Sequence, residues 1–202
     1  MVIADVQTIR KLVLSVAILI GMMMFSVTTA RFPSGTTTHE VIEWIGIVAI
    51  VICILGRTWC SLYIGGRKIV QFVTEGPYSV SRNPLYFFSI LGAGGVGAQL
   101  GSVVAGLLFG TLTWIVFYVV VLQEEIVLAE RYGAAYASYR AAVPRFLPNP
   151  RLWRDVPTLT VMPPKVLGTF ADAMLFLLSV PIAELFEELQ RLGLLPVLLR
   201  LP

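Results

Sequence analysis

A chain of 202 residues is the size of one domain. It is 57% hydrophobic and 13% charged, far below the roughly 25% charge of a soluble domain, so it cannot cover its surface with polar groups in water and a soluble globular protein is excluded. The net charge is only +3; no nucleic-acid partner is expected, and where the basic residues fall matters more than their sum.

A membrane-spanning helix needs about 20 mostly apolar residues. Leu12–Ala30 is the first such run, and it is too long and too closely followed by others to read as a cleaved signal peptide. His39 follows in a loop beside Glu40 and reads as a solvated histidine with no assigned role. Val41–Tyr63 is the second run, with Glu43 near one end and Arg57, placed to snorkel toward the interface, near the other. It holds Cys53 and Cys60. With no C-x-x-C pair they read as buried small hydrophobes, and neither a disulfide framework nor a metal site is indicated.

Pro84–Ala98 is a third, shorter run, joined by Gln99-Leu100-Gly101 to a fourth, Ser102–Leu122, as a tight helical hairpin. Arg10 and Lys11 precede the first run; Arg67, Lys68 and Arg82 lie between the second and third; Arg131, Arg140, Arg145, Arg151, Arg154 and Lys165 follow the fourth. The loop between the first two runs has only Arg31, and the hairpin link has none. Four spans put every basic segment on one side, which the positive-inside rule makes cytoplasmic. Beyond the break at Pro157, Pro163 and Pro164, Val166–Val180 reads as a fifth hydrophobic helix. Ala183–Leu194 interleaves Glu184, Glu187, Glu188 and Arg191 with Leu185, Phe186, Leu189 and Leu192, the pattern of an interfacial amphipathic helix. The expectation is an all-α, polytopic membrane bundle of four to five transmembrane helices. It forms one domain over residues 1–202, with a core at 41–150 and a C-terminal helical region at 165–195.

Gly92–Gly97, GAGGVG, matches G-x-G-x-x-G literally. That pattern binds dinucleotides only between a strand and a helix; inside an apolar run it reads as close helix packing. Gly97–Gly101 and Gly106–Gly110 have the GxxxG spacing that lets helix backbones approach, and they also permit a homodimer.

Two polar clusters border these runs. Val73–Phe87, VTEGPYSVSRNPLYF, has a turn at Gly76-Pro77 and a helix start at Asn83-Pro84, with asparagine suited to the N-cap and proline to the first helical position. Gln123–Arg145, QEEIVLAERYGAAYASYRAAVPR, opens with Glu124 and Glu125 where the fourth run leaves the hydrocarbon. A helix ending there would set two carboxylates against the negative end of its dipole. The helix is therefore expected to continue toward Tyr132, with Gly133 able to bend it and Tyr132, Tyr136 and Tyr139 at helical spacing. Read alone, Glu124 and Glu125 suit either solvated interfacial charge or a functional site. Both clusters fall on the cytoplasmic side and can meet around a ligand with a cationic and an anionic end.

The order Gly76-x-Tyr78, Arg82-Asn83-Pro84-Leu85-Tyr86, Glu124-Glu125-x-x-Leu128 and Tyr136-x-x-Tyr139-x-x-x-Val143-Pro144 resembles the isoprenylcysteine carboxyl methyltransferase family and the related phospholipid methyltransferases. These are integral membrane enzymes that use S-adenosylmethionine. The resemblance covers Val70–Pro148. It implies that Val70, Gln71, Phe72, Val73 and Tyr78 line the adenosine, largely through backbone and ring stacking. Asn83, Pro84, Leu85 and Tyr86 would lie around the ribose and amino-acid moiety, and Glu124 would hold a cationic part of the cofactor. It also implies that Glu125 orients Arg82 or a tyrosine, with Glu125 and Arg82 standing as candidate catalytic residues.

Two positions depart from the pattern. Asn83 replaces the family histidine and cannot take a proton near neutral pH. Val120 replaces an arginine that the eukaryotic prenylcysteine enzymes carry one turn before the paired glutamates. The implied reaction is methyl transfer to a lipophilic or lipid substrate arriving from the bilayer, foremost the carboxyl of an isoprenylcysteine-like compound. A phospholipid-type N-methyltransferase and a non-catalytic membrane protein of the same fold are the alternatives. Short loops suit a bacterial inner membrane better than the alternative, the endoplasmic reticulum, with the N-terminus and cofactor site cytoplasmic.

Overall fold

Helix α1, Thr37–Ile64, runs 28 residues, about 42 Å at 1.5 Å per residue and enough to cross a hydrocarbon core of about 30 Å. Glu40 in its first turn favours the positive end of the dipole. Ile42, Ile50, Cys53, Ile54 and Cys60 are buried along one face, while Trp44, Ile45, Val48 and Leu55 are each more than half exposed along another. A long apolar stripe left bare is what a lipid-facing helix presents. The structure, a computed structural model, describes residues 21–32, 34–65 and 72–202. Arg10, Lys11, Arg67, Lys68, Val70, Gln71 and the first part of the predicted run Leu12–Ala30, residues 12–20, lie outside the described residues.

The one-turn helix α2 (Pro77–Val80) leads to α3 (Pro84–Ala98), and α4 (Val103–Ala142) follows the hairpin. Then come α5 (Pro163–Met174), a 3-10 turn at Leu175–Leu178 and α6 (Ser179–Arg191). Among the described residues three helical stretches are long and apolar enough to cross a membrane, Thr37–Ile64, Val103–Ala142 and Pro163–Arg191, with Pro84–Ala98 a shorter apolar helix. The chain is thus an all-α integral membrane protein. Val166–Val180 and Ala183–Leu194, predicted as separate helices, form one 29-residue stretch. Pro181 does not break it, because proline in the first turn of α6 removes an N–H that has no intrahelical partner there.

The described chain groups into two compact units: Met1–Val51 with Ile90–Val120 and Leu175–Pro202, and Ile52–Ser89 with Val121–Met174. In the first, glycines set the packing. Gly95 backs onto the Gly46 carbonyl, and Gly97 onto the backbone of Ala105 and Gly106. GAGGVG is therefore a helix-packing surface inside α3. Ser102 caps α4, accepting from the Ala105 N–H at 3.2 Å and donating to the Pro202 carbonyl at 2.6 Å. Gly97→Ala is expected to cost about 1–3 kcal/mol, because its Cβ would run into the Ala105 carbonyl, backbone that cannot rotate away. Thermal unfolding in detergent checks this against Gly168→Ala, which meets nothing within 4 Å and should be neutral or stabilising.

Three sequence expectations change in this unit. Residues 28–30 leave the helix and form strand β1 (Thr28–Ala30), paired in parallel with β2 (Leu199–Leu201). The β-branched Thr28 and Thr29 suit that conformation. The amphipathic helix α6 is anchored rather than free: Ala183 joins a core of Phe25, Leu100 and Ala105, and the Gln190 amide lies within 3.3 Å of the Phe25, Ser26 and Thr28 carbonyls. His39, expected in a solvated loop, lies in the first turn of α1 and is 2% exposed.

In the second unit Cys60, Tyr63 and Tyr78 form a buried cluster with Val73, Leu85 and Phe88 around it. Both cysteines are buried, as expected, and outside any disulfide. Arg57 does not snorkel outward; it donates to the Ser89 hydroxyl, because Ser89 offers an acceptor nearby. Trp59 and Trp153 stack at 5.5 Å, and the Tyr63 hydroxyl reaches both Asp155 carboxylate oxygens at 3.0 Å.

Candidate functional site

The two polar clusters meet within the second unit, joined by backbone hydrogen bonds. Gly76, at φ 56°, turns the chain and donates its N–H to the Arg154 carbonyl at 2.7 Å. Asn149 N–H donates to Val80 and Arg82 N–H to Pro144, both at 2.8 Å. Ser79 Oγ accepts from Arg154 N–H at 3.0 Å, and Ser81 Oγ donates to the Phe146 carbonyl at 2.9 Å. Residues 76–83 are thus strapped along 144–154.

Helix α4 brings the carboxylates. It continues past Glu124 and Glu125 as predicted and turns sharply at Gly133, whose φ of 50° and ψ of −122° are non-helical. Beyond that kink, Tyr136, Tyr139 and Val143 pack together with Phe72 and Tyr132 around them. Phe72 stacks on Tyr132 at 5.2 Å and meets Tyr139 edge-on at 5.0 Å. The Tyr139 hydroxyl donates to the Tyr78 carbonyl at 2.7 Å, pinning the kinked end of α4 to α2.

Glu125 is 6% exposed and sits between two guanidinium groups. Arg82 Nη1 lies 3.0 Å from its Oε1. Arg145 forks onto both oxygens, Nη2 at 2.9 Å and Nε at 3.2 Å. Glu124, the half-buried neighbour, accepts from the Tyr86 hydroxyl of α3 at 3.0 Å. The Asn83 carbonyl accepts the Phe87 N–H at 3.1 Å and so opens α3. Its side chain does not take the capping role predicted for it; the amide donates instead to the Arg145 carbonyl at 3.2 Å, because the strapped loop brings that acceptor close.

The site residues read from the sequence fall into two groups. Glu124, Glu125, Arg82, Asn83, Tyr86 and Phe72 form the polar and aromatic cluster. Val73, Tyr78 and Leu85 belong to the apolar cluster around Cys60, and Pro84 is buried. The Tyr78 ring is therefore closed off in the core rather than open for stacking, and burial pushes its phenol pKa well above the ordinary value. Val70 and Gln71 lie outside the described residues. Arg145 was missed as a site residue. Its position directly after Val143-Pro144 was the available signal, but its sequence distance from Glu125 hid the pairing.

The donor set suits S-adenosylmethionine chemically. Glu124 is a carboxylate for a cationic group. Arg82 keeps a buried Nε without a hydrogen-bond partner in this structure, a spare donor for an anionic group. Phe72 and Tyr132 offer aromatic surface.

The phospholipid methyltransferase family matches residues 44–135. The chain is 32% identical over 161 residues to the cobalt-zinc-cadmium resistance protein CzcN of Cupriavidus metallidurans, covering 80% of this chain and 74% of that protein. It is 31% identical over 158 residues to the nickel-cobalt-cadmium resistance protein NccN of Alcaligenes xylosoxydans xylosoxydans, covering 78% and 74%. A protein-S-isoprenylcysteine O-methyltransferase of Schizosaccharomyces pombe is 36% identical over 76 residues, 38% of this chain and 32% of the enzyme. No solved structure matches the chain.

Proposed function

The chain belongs to the family of integral membrane methyltransferases that takes in the phospholipid and isoprenylcysteine carboxyl enzymes, and from that premise we propose that it methylates a lipophilic acceptor reached from the bilayer, using S-adenosylmethionine bound on the cytoplasmic side of a bacterial inner membrane. The observation that carries this reading is Glu124 held by Tyr86 beside the buried Arg82–Glu125–Arg145 group. The chemistry supplied by S-adenosylmethionine when bound is an electrophilic methyl group on a sulfonium.

The chain's own residues bind and position. Glu124 holds the cationic part of the cofactor, its carboxylate oriented by the Tyr86 hydroxyl. Arg82, with its spare Nε, faces the anionic end, and Glu125 fixes Arg82 rather than touching substrate. The stacked Phe72 and Tyr132 rings offer an outer aromatic face to the adenine. Asn83 ties the loop to Arg145 and is no proton acceptor. A carboxylate acceptor is already anionic and needs no base, so catalysis rests on orientation. This favours O-methylation of an isoprenylcysteine-like carboxylate over amine methylation. Val120, buried where the eukaryotic enzymes carry a substrate-associated arginine, favours a small membrane compound over a prenylated protein. An apolar groove of about 480 Å³ in the first unit, walled by Ile42, Gly46, Gly94, Gly106 and Trp114, suits a lipid chain. The family match to phospholipid methyltransferases keeps amine methylation as a second reading, with Glu124 then the base.

Calorimetric titration of detergent-purified protein with S-adenosylhomocysteine tests the cofactor site. Micromolar binding is expected. Glu124→Gln should weaken it about 10–100-fold, the value of a lost charge-assisted hydrogen bond of about 1.5–3 kcal/mol. A folded wild type that fails to bind, or a Glu124→Gln variant that binds equally, would sink the assignment. Methyl acceptance by prenylated thiol acids against ethanolamine lipids then separates the two chemistries.

A further inference from the structure

We propose that His39, Glu43 and Glu187 form a binding site for a divalent transition-metal ion of the zinc class, separate from the methyl-transfer machinery and argued without it. The three residues lie in the first unit, His39 and Glu43 one turn apart on α1 and Glu187 on α6. His39 Nδ1 sits 3.1 Å from the Phe32 carbonyl. A carbonyl only accepts, so Nδ1 donates to it and Nε2 is the ring nitrogen left to face a cation. That is the orientation a carbonyl imposes on metal-binding histidines. Nε2 lies 3.2 Å from Glu43 Oε1 and 3.2 Å from Glu187 Oε1. One ligand atom from each residue falls within 4.8 Å of the others.

Three electron-pair donors that converge need a cation among them, and the choice lies between a proton and a metal ion. A proton on Nε2 gives a single N–H, which can point at one carboxylate oxygen, whereas two lie at the same distance. Charge-assisted N–H···O bonds also close to about 2.7–2.9 Å. Tetrahedral ligands bound at about 2.0–2.1 Å stand about 3.3 Å apart, close to the 3.2 Å from Nε2 to each glutamate oxygen. Imidazole with two carboxylates suits zinc or cobalt(II), and a fourth position stays open to water.

The surroundings hold the ligands in place. The imidazole is buried and packs against Gly101, where a Cβ would collide with the ring. Ser34 Oγ donates to Glu187 Oε2 at 3.0 Å, the outer hydrogen bond that orients a ligating carboxylate. The Glu43 and Glu187 side chains remain 30% and 23% exposed, which gives the ion a path in. A bound ion would fasten α6 to the start of α1, the end of that helix assigned to the non-cytoplasmic face.

The test uses the full chain in detergent, stripped with a chelator that is then removed, and titrated with cobalt(II). One equivalent should bind with the intense visible bands of tetrahedral cobalt, and zinc should displace it and raise the thermal midpoint. Glu187→Gln and His39→Gln should each weaken binding at least tenfold. Glu188→Gln, whose carboxylate pairs with Arg191, should leave it unchanged. Should His39→Gln fail to fold, Glu187→Gln, at a partly exposed side chain, still decides. Absence of cobalt binding by folded wild type, or equal binding by Glu187→Gln, overturns the site and leaves a protonated imidazole shared by two carboxylates.

Discussion

Glu125→Ala is expected to destabilise the protein by about 3–5 kcal/mol, the cost of removing one partner from a buried ion pair and leaving the other charge uncompensated. The Glu125 side chain is 7% exposed and that of Arg82 9%; Arg82 would lose its carboxylate with no solvent in reach. Arg145, at 29%, can turn to water, so Arg145→Ala should cost clearly less. Thermal unfolding in detergent gives the order, and equal losses for the two variants would contradict the triad as drawn. A Glu125→Leu, Arg82→Met double variant sharpens the test. Exchanging a buried pair for apolar groups of similar volume is often neutral, so much of the stability should return. S-adenosylhomocysteine binding should not return, because the guanidinium proposed to face the cofactor's anionic end is gone. A single pair of residues would then yield separate readings of fold and function.

The second large effect is expected at Gly133. Its φ of 50° and ψ of −122° lie in territory that side chains avoid, at a cost of about 1–3 kcal/mol. No atom lies within 4 Å of where its Cβ would be, so Gly133→Ala acts through the backbone alone. The helix relieves that strain by straightening, which carries Tyr136 and Tyr139 off the Phe72 ring and breaks the 2.7 Å bond from Tyr139 to the Tyr78 carbonyl. S-adenosylhomocysteine affinity should fall at least tenfold while helix content by circular dichroism is retained. Asparagine tolerates the ordinary left-handed region near ψ 47°, and Gly133 is not there, so Gly133→Asn should be no milder than alanine. A rescue by asparagine would mean that the kink is an ordinary left-handed turn.

Legibility divided along physical lines. Periodicity and caps are local, so the helix starting at Pro84, the hairpin at Gln99–Gly101 and the continuation of α4 beyond Glu125 could be read from neighbouring residues. The bend at Gly133 could be read as well, since glycine inside a helical pattern marks one. The side-chain partners could not. Asn83 carries a good capping residue's chemistry, and that local preference lost to the Arg145 carbonyl 62 residues away. Arg57 lost its route to the interface to Ser89. The short β1–β2 pair joins chain segments more than 160 residues apart, with only three residues on each side to signal it.

His39 is the sharpest case. A lone histidine beside a glutamate, just after an apolar run, has no local reason to be buried; Glu187, from the far end of the chain, supplies it. The sequence by itself determined the membrane setting, the helical class and the family, because hydrophobic burial and ordered motifs are properties of composition and spacing. The tertiary structure alone decided which charges share a partner. Coulomb attraction and hydrogen bonding act over a few ångströms in space, whatever the distance along the chain.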